Sequence, residues 1–422
     1  MVAGKGYSLW TAAVFMVSFN AGLGLLALPH ALAGTGWFGI FLILWASINS
    51  CYCAVVLGET WLIMEKHWEE YRGKFRYPYP AMGMRTVGLW MRYIVTVALH
   101  ITAIGIGVVY LLLSAQVAQS MTETFSHLDY KYWIIILGVI LCPLTWFGSI
   151  EKFQFAGLGA LVTMVLACLG MFVGSILDLS KENIEENEAP TFSTISLSFG
   201  TMIFSFGGIF FFPTVQNDME YKKKFSIAVL ISYATLLILY IPVTVVGYFV
   251  YGSDVKPNLI LSIGKGGLRT FIEICLAIHT FLAFLLGINP VYQEIEEAFN
   301  VAAVFNYKRC LIRSSVVLIV LIIACTIPHF DKVMNLVGGS TMTLLTFICP
   351  TLFYYLLKKK ESKLINTEKK IVQIRSILEK IFLLQVVIMG VAGGIACTYF
   401  AILDIAQTFV PAQVILNNTV SL

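Results

Sequence analysis

Charge is what this sequence has least of. Asp, Glu, Lys and Arg together make up 12% of its 422 residues, about half the share of an ordinary globular chain. Long polar stretches are equally scarce. The longest, Lys358–Glu379, is too short to fold as a domain of its own. No G-x-S-x-G nucleophile motif, glycine-rich phosphate loop or metal-ligand spacing occurs, so no cofactor or metal is expected. Cys51-x-Cys53 has no further soft ligand nearby. The nine cysteines lie in apolar segments or, for Cys310, at the start of one, which suits small packing groups rather than a disulfide framework. No small-residue cleavage site cleanly follows the first apolar stretch, so that stretch is expected to stay as a helix and not to be removed as a signal peptide.

What fills the chain is hydrocarbon. Hydrophobic residues reach 58% and the mean hydropathy is +0.83, more apolar surface than a water-soluble fold can hide. The class is an all-α polytopic membrane protein, because backbone groups in hydrocarbon must be bonded within their own segment. Eleven segments are long enough to span: Leu9–Ala33, Trp37–Met64, Met91–Ser120, Tyr132–Gly148, Phe155–Leu177, Ser193–Gln216, Phe225–Tyr251, Leu268–Ala298, Cys310–Ile327, Val333–Leu357 and Ile381–Leu403. Residues 1–422 form one transmembrane domain: a first repeat over 1–192, a second over 193–357, then a basic loop, an eleventh span and a tail over 358–422.

With the N-terminus in the cytoplasm, 22 of the 28 Lys and Arg residues fall on the inner side and 6 on the outer. This asymmetry predicts an external or lumenal C-terminus. The acidic stretch Asp178–Pro190 and the sequon at Asn417 then also lie outside. The net charge of +4 is a cytoplasmic skirt facing lipid headgroups, not a nucleic-acid surface.

Two spans contain poor helix formers at their centres. Span one holds "FNAGLGLLALPHAL" (Phe19–Leu32), and span six holds "MIFSFGGIFFFPTVQ" (Met202–Gln216). Gly24-x4-Pro29 matches Gly208-x4-Pro213, and a small polar residue precedes each glycine patch, Asn20 before Gly22 and Ser205 before Gly207. The two lie five spans apart, the offset of a five-plus-five inverted repeat, in which paired breaks at mid-membrane hold the substrate. The alternative is that the glycines only admit close helix packing. If the helices do break, a half-helix starting after Gly24 offers free N–H groups to a carboxylate. A half-helix ending near Phe206 offers free carbonyls to an ammonium group. The pair makes a receptor for a zwitterion without a charged side chain.

The segments Asn20–Gly39, Gly200–Met219, Gly247–Ile263 and Asn289–Glu297 resemble the amino acid/auxin permease family of the amino acid–polyamine–organocation superfamily. The vesicular inhibitory amino acid carriers and the proton-assisted carriers are both similar. The resemblance implies a leucine-transporter-type fold with spans one and six unwound, and amino acid transport coupled to protons or sodium. It also implies that the hydroxyl of Tyr110 in span three could reach the substrate carboxylate; the alternative is an aromatic packed at a helix interface. Proton-assisted members often carry a histidine five residues before the first-break asparagine, where this chain has Phe15. Some relatives join external loops by a disulfide, and the external loops here have no cysteine.

The expected substrate-binding set is therefore Asn20, Gly22, Gly24, Tyr110, Ser205, Phe206, Gly207, Gly208 and Phe210. Ionisable or polar groups at membrane depth are the coupling and gating candidates: His30, His100, Glu273, His279 and Thr280, with Glu59 near an inner end. Each has a plain alternative as a bonded core residue or an end group that reaches water. Sodium needs several hard oxygen ligands; the resemblance implies that span eight supplies hydroxyls in sodium-dependent branches, and here Thr280 stands alone before Phe281, Leu282, Ala283 and Phe284, which tilts the reading to protons. Glu294, Glu296 and Glu297 could pair with Lys222–Lys224 across an inner gate or simply form a solvated face. The function expected is secondary active transport of small neutral amino acids by alternating access. The alternatives are a sodium-coupled carrier, a nutrient sensor or, furthest, a membrane acyltransferase, for which no His–Asn or His–Asp constellation stands out.

Overall fold

A computed structural model describes residues 6–73, 75–123, 127–146, 153–179, 189–302, 304–365 and 370–409. Lys5, Lys74, Lys152, Lys181, Lys369, most of the acidic stretch and the sequon at Asn417 lie outside them.

Every expected span is helical. Span one is a pair, α1 (Leu9–Asn20) and α2 (Leu23–Ala33), bent by 53° at its break. Spans two to five are α3 (Phe38–His67), α5 (Leu89–Thr122), α6 (Tyr130–Trp146) and α7 (Phe153–Asp178), and the short α4 (Pro78–Thr86) precedes α5. Span six is α8 (Phe192–Phe206) continued by α9 (Phe212–Asp218). Spans seven to nine are α10 (Phe225–Tyr251), α11 (Gly267–Ala298) and α12 (Tyr307–Thr326). Span ten is α13 (Phe330–Val337) running through two π-helical stretches, Gly338–Met342 and Leu344–Ile348, into α14 (Cys349–Ile365). Span eleven is α15 (Lys370–Thr408). The 17-residue α6 is the shortest and still within spanning length. Phe41, Leu230, Ile238 and Ile395 are exposed on the outside, as lipid-facing positions should be. The chain is an integral multi-pass membrane protein.

The helices sort into two groups. α10 lies along α1, α2 and α3, and α8 along α2, which gathers spans one, two, six and seven. α11 lies along α5 and α7, and α12 along α5 and α6. Tyr7 joins the start of span one to the end of span six, its N–H donating to Asp218 O at 2.8 Å and its carbonyl accepting from Glu220 N at 3.0 Å.

α15 packs on α8 and α13 and closely on the π-helical stretch that follows α13: a Cβ built on Gly394 would lie 2.9 Å from Gly339 O. Gln385 of α15 also reaches span two, donating to Asn49 Oδ1 at 2.7 Å and accepting from Trp45 Nε1 at 3.3 Å. Intramembrane side-chain hydrogen bonds average about 0.6 kcal/mol each. Gln385→Leu is therefore expected to lower the melting temperature in detergent by only a few degrees and to leave flux unchanged. A loss of flux at intact abundance would show that span eleven takes part in transport.

Candidate functional site

Ser8 starts span one, its Oγ accepting from Thr11 N at 3.1 Å. The helix runs to Asn20 and stops at Ala21. Gly22 sits at φ 150°, ψ −98°, a conformation open to glycine alone, and α2 begins at Leu23. The half-helix thus starts two residues earlier than the expected start after Gly24. Gly24 lies inside the first turn of α2, where its need is space rather than conformation. A Cβ there would be 2.3 Å from Ser205 Oγ and 2.5 Å from Ser205 Cα.

The second break is milder. α8 ends at Phe206, Gly207 leaves the helix at φ −87°, ψ 4°, and a 3-10 turn over Gly208–Phe211 leads into α9, with Pro213 in its first turn. The two breaks meet through one side chain. Asn20 Nδ2 donates to Met16 O at 3.0 Å, and its Oδ1 accepts from Gly208 N at 2.9 Å.

The carbonyl poles are not bare, which corrects the sequence expectation. Asn20 O accepts from Tyr240 OH at 2.8 Å, Phe206 O from Tyr233 OH at 2.8 Å, and Gly207 O from Thr346 Oγ1 at 3.1 Å. Desolvated carbonyls at mid-membrane need partners, and neighbouring helices supply them. Ser205 Oγ donates to Thr201 O at 2.7 Å, so its proton serves its own helix. Tyr233, Tyr240 and Thr346 were missed in the sequence. Two tyrosines seven residues apart at membrane depth in "YATLLILY" (Tyr233–Tyr240) were the available signal.

The N–H end of α2 has no side-chain cap. His279 of α11 and Tyr110 of α5 stand over it: a Cβ on Gly22 would be 2.4 Å from His279 Nε2 and 3.3 Å from Tyr110 OH. His279 Nδ1 is 2.8 Å from Ala160 O, so the neutral ring carries its proton there, and among the described residues Nε2 has no hydrogen-bond partner. Below the breaks opens a cavity of 500 Å³ whose walls include Phe19, Tyr110, Phe210 and Phe211, with His100 and Glu294 further out. Phe19 stacks on Phe211 at 4.7 Å and meets Phe210 edge-on at 5.5 Å. Phe206 is fully buried and stays with Tyr233 and Tyr240. Phe15 lines the cavity and stacks on Tyr7.

Of the remaining candidates His100 lies further along the cavity wall, and the others sit elsewhere. His30 is exposed and bonds Val255 O at 2.9 Å. His100 bonds Thr96 O at 2.7 Å and faces Glu294 at 3.5 Å. Glu273 is buried in an ion pair with Arg269 at 3.0 Å and accepts from Ser120 Oγ. Thr280 Oγ1 accepts from Ser114 Oγ at 2.9 Å and donates to Ala277 O at 3.2 Å. Glu59 is surface-exposed. The acidic cluster does not face Lys222–Lys224: Lys222 pairs with Glu65, Glu296 with Arg313 and Arg309, and Glu297 with Arg76 and Tyr77. Burial and the Glu297 carboxylate together push the Tyr77 hydroxyl above its usual range.

Two interrupted helices, one from each half of the chain and joined at their breaks, are the mark of the inverted-repeat transporter fold. Solved structures share this fold. Mhp1, a nucleobase-cation-symport-1 family transporter in a closed conformation with bromovinylhydantoin bound, superposes with a TM-score of 0.56 at 15% identity over 96% of this chain and 94% of that one. Its inward-facing conformation gives 0.58 at 11% identity, over 96% and 91%. The chain belongs to the family described as "Transmembrane amino acid transporter protein", which matches residues 5–400. Similar proteins from Arabidopsis thaliana include amino acid transporter AVT1D, 24% identical over 92% of this chain and 68% of its own length. Amino acid transporter AVT3C is 25% identical over 81% of each.

Proposed function

We propose that the protein is a secondary active transporter of small neutral amino acids, coupled to protons and working by alternating access. The observation that carries this is the uncapped N–H end of α2 lying beneath His279 Nε2 and Tyr110. An α-carboxylate seated there meets the positive helix end and a hydroxyl donor. The α-ammonium group shares the second lone pairs of Asn20 O and Phe206 O with the tyrosines that already bond them.

Coupling follows from the same contact. A protonated His279 turns Nε2 from an acceptor into a charged donor beside the carboxylate. Proton and substrate then favour each other's binding by linkage. His279 is the candidate that touches a break. The hydroxyl of Thr280 is engaged with Ser114 and Ala277, which supports protons over sodium. A charge crossing 100 mV releases about 2.3 kcal/mol, and a pH unit about 1.4 kcal/mol, enough to concentrate a neutral amino acid.

The cavity opens between α1 and α9 on one side and α5 and α11 on the other, toward the end rich in Lys and Arg. With that end in the cytoplasm, this is an inward-open conformation. At the opposite end Asn258 Nδ2 donates to Gln116 Oε1 at 3.2 Å, closing the link between spans seven and eight over α5. Spans one, two, six and seven rock against three, four, eight and nine to exchange the two openings.

Reconstituted protein should accumulate labelled glycine, alanine, proline or GABA under an imposed pH gradient and not under sodium alone. Flux driven by sodium alone would move the coupling to that ion. Absence of gradient-driven flux for every amino acid tried would favour a sensor.

A further inference from the structure

The three helices at the centre form a closed hydrogen-bonded circuit. Span one reaches span six through Asn20 Oδ1 and Gly208 N at 2.9 Å. Span six reaches span seven through Phe206 O and Tyr233 OH at 2.8 Å. Span seven returns to span one through Tyr240 OH and Asn20 O at 2.8 Å. Tyr233 and Tyr240 are two helical turns apart and share one face of α10. The Phe206 ring lies between them, 6.4 Å from the Tyr233 ring and 5.5 Å from that of Tyr240. All three aromatic residues are buried.

We propose that Tyr233 and Tyr240 are a pair of positioning residues that lock the two helix breaks into a single body, so that both poles of the site form and move together. Neither tyrosine needs to touch the substrate for this. Each break leaves carbonyls that a short irregular segment cannot bond for itself. Separate partners for the two carbonyls would let the breaks shift independently. One helix supplying both partners ties the position of one break to that of the other. A displacement of span one relative to span six would then break at least one bond of the circuit. In the rocking motion proposed above, the consequence is that spans one and six change orientation in step.

Tyr233→Phe and Tyr240→Phe test the pair, because each keeps its ring and loses only the hydroxyl. Amide hydrogen exchange in lipid nanodiscs gives a readout that does not depend on transport. Tyr240→Phe keeps the ring against Phe206 and loses only a hydroxyl that bonds the first break, yet it should speed exchange across residues 206–209 as well as 20–25. Tyr233→Phe should do the converse. The expected change is about threefold, the equilibrium weight of one average hydrogen bond between membrane helices. Acceleration confined to the break each tyrosine touches, or none at all, would overturn the inference.

A kinetic arm rests on the transport reading. Both variants should raise the KM for the amino acid by about threefold while Vmax per folded molecule stays within about twofold. A drop in folded protein with KM unchanged marks a merely structural role and counts against the pair. Tyr248→Phe is the control: its ring packs on Trp37 at 5.1 Å on the same helix, and it should change neither readout. If the wild-type protein moves no amino acid, the transport reading fails by itself and the exchange arm still decides the tyrosines.

Discussion

A methyl group added at Gly24 is expected to abolish transport. The Cβ of Gly24→Ala would sit 2.5 Å from Ser205 Cα as well as 2.3 Å from Ser205 Oγ. Truncating the serine cannot relieve the clash, because the Cα belongs to the backbone of α8. Spans one and six would have to separate where Asn20 now holds Gly208. Overpacking of a tight contact costs about 1–3 kcal/mol or more, and here the break geometry goes with it. Uptake per molecule in the membrane should fall about a hundredfold, which corresponds to about 2.8 kcal/mol, whether or not the variant folds less efficiently. Gly267→Ala serves as the comparison, since a Cβ at Gly267 meets nothing within 4 Å and should be silent. Uptake of Gly24→Ala within tenfold of wild type at equal abundance would mean that the two spans are not packed this closely in the working protein.

His279→Gln should separate binding from driving force. The glutamine amide can still donate to Ala160 O, as Nδ1 does at 2.8 Å, but it cannot take up a proton beside Gly22. Accumulation driven by a pH gradient should fall about a hundredfold, the upper end of a typical coupling energy of 1–3 kcal/mol. Counterflow, in which labelled amino acid exchanges for unlabelled without net proton movement, should persist. The sign is definite. In the wild type uptake rises as the outer side is acidified, because the protonated ring favours the carboxylate. In the variant that dependence should flatten. Undiminished pH-driven accumulation by His279→Gln would take the coupling away from this residue and return it to His100 or Glu273. Of those two, His100 lines the cavity opposite Glu294, whereas Glu273 is already neutralised by Arg269.

The sequence alone determined the span architecture and the existence of two matched interruptions. Long apolar runs must be helices in hydrocarbon, and glycine with proline weakens a helix wherever it falls. Those are local rules, and Gly22, Gly207 and Pro213 obey them in the structure. Which partners close the breaks was decided by the tertiary structure, because it depends on residues far away in sequence. Tyr240 lies 220 positions from the Asn20 carbonyl it caps, and Thr346 lies 139 from Gly207. The expectation of bare carbonyl poles failed for that reason, as did the pairing of Glu294–Glu297 with Lys222–Lys224. Among five coupling candidates of similar sequence character, only packing showed that His279 meets the first break while Glu273 is spent on an ion pair. A buried polar group is defined by what surrounds it, and a linear pattern records its depth in the membrane but not its neighbours.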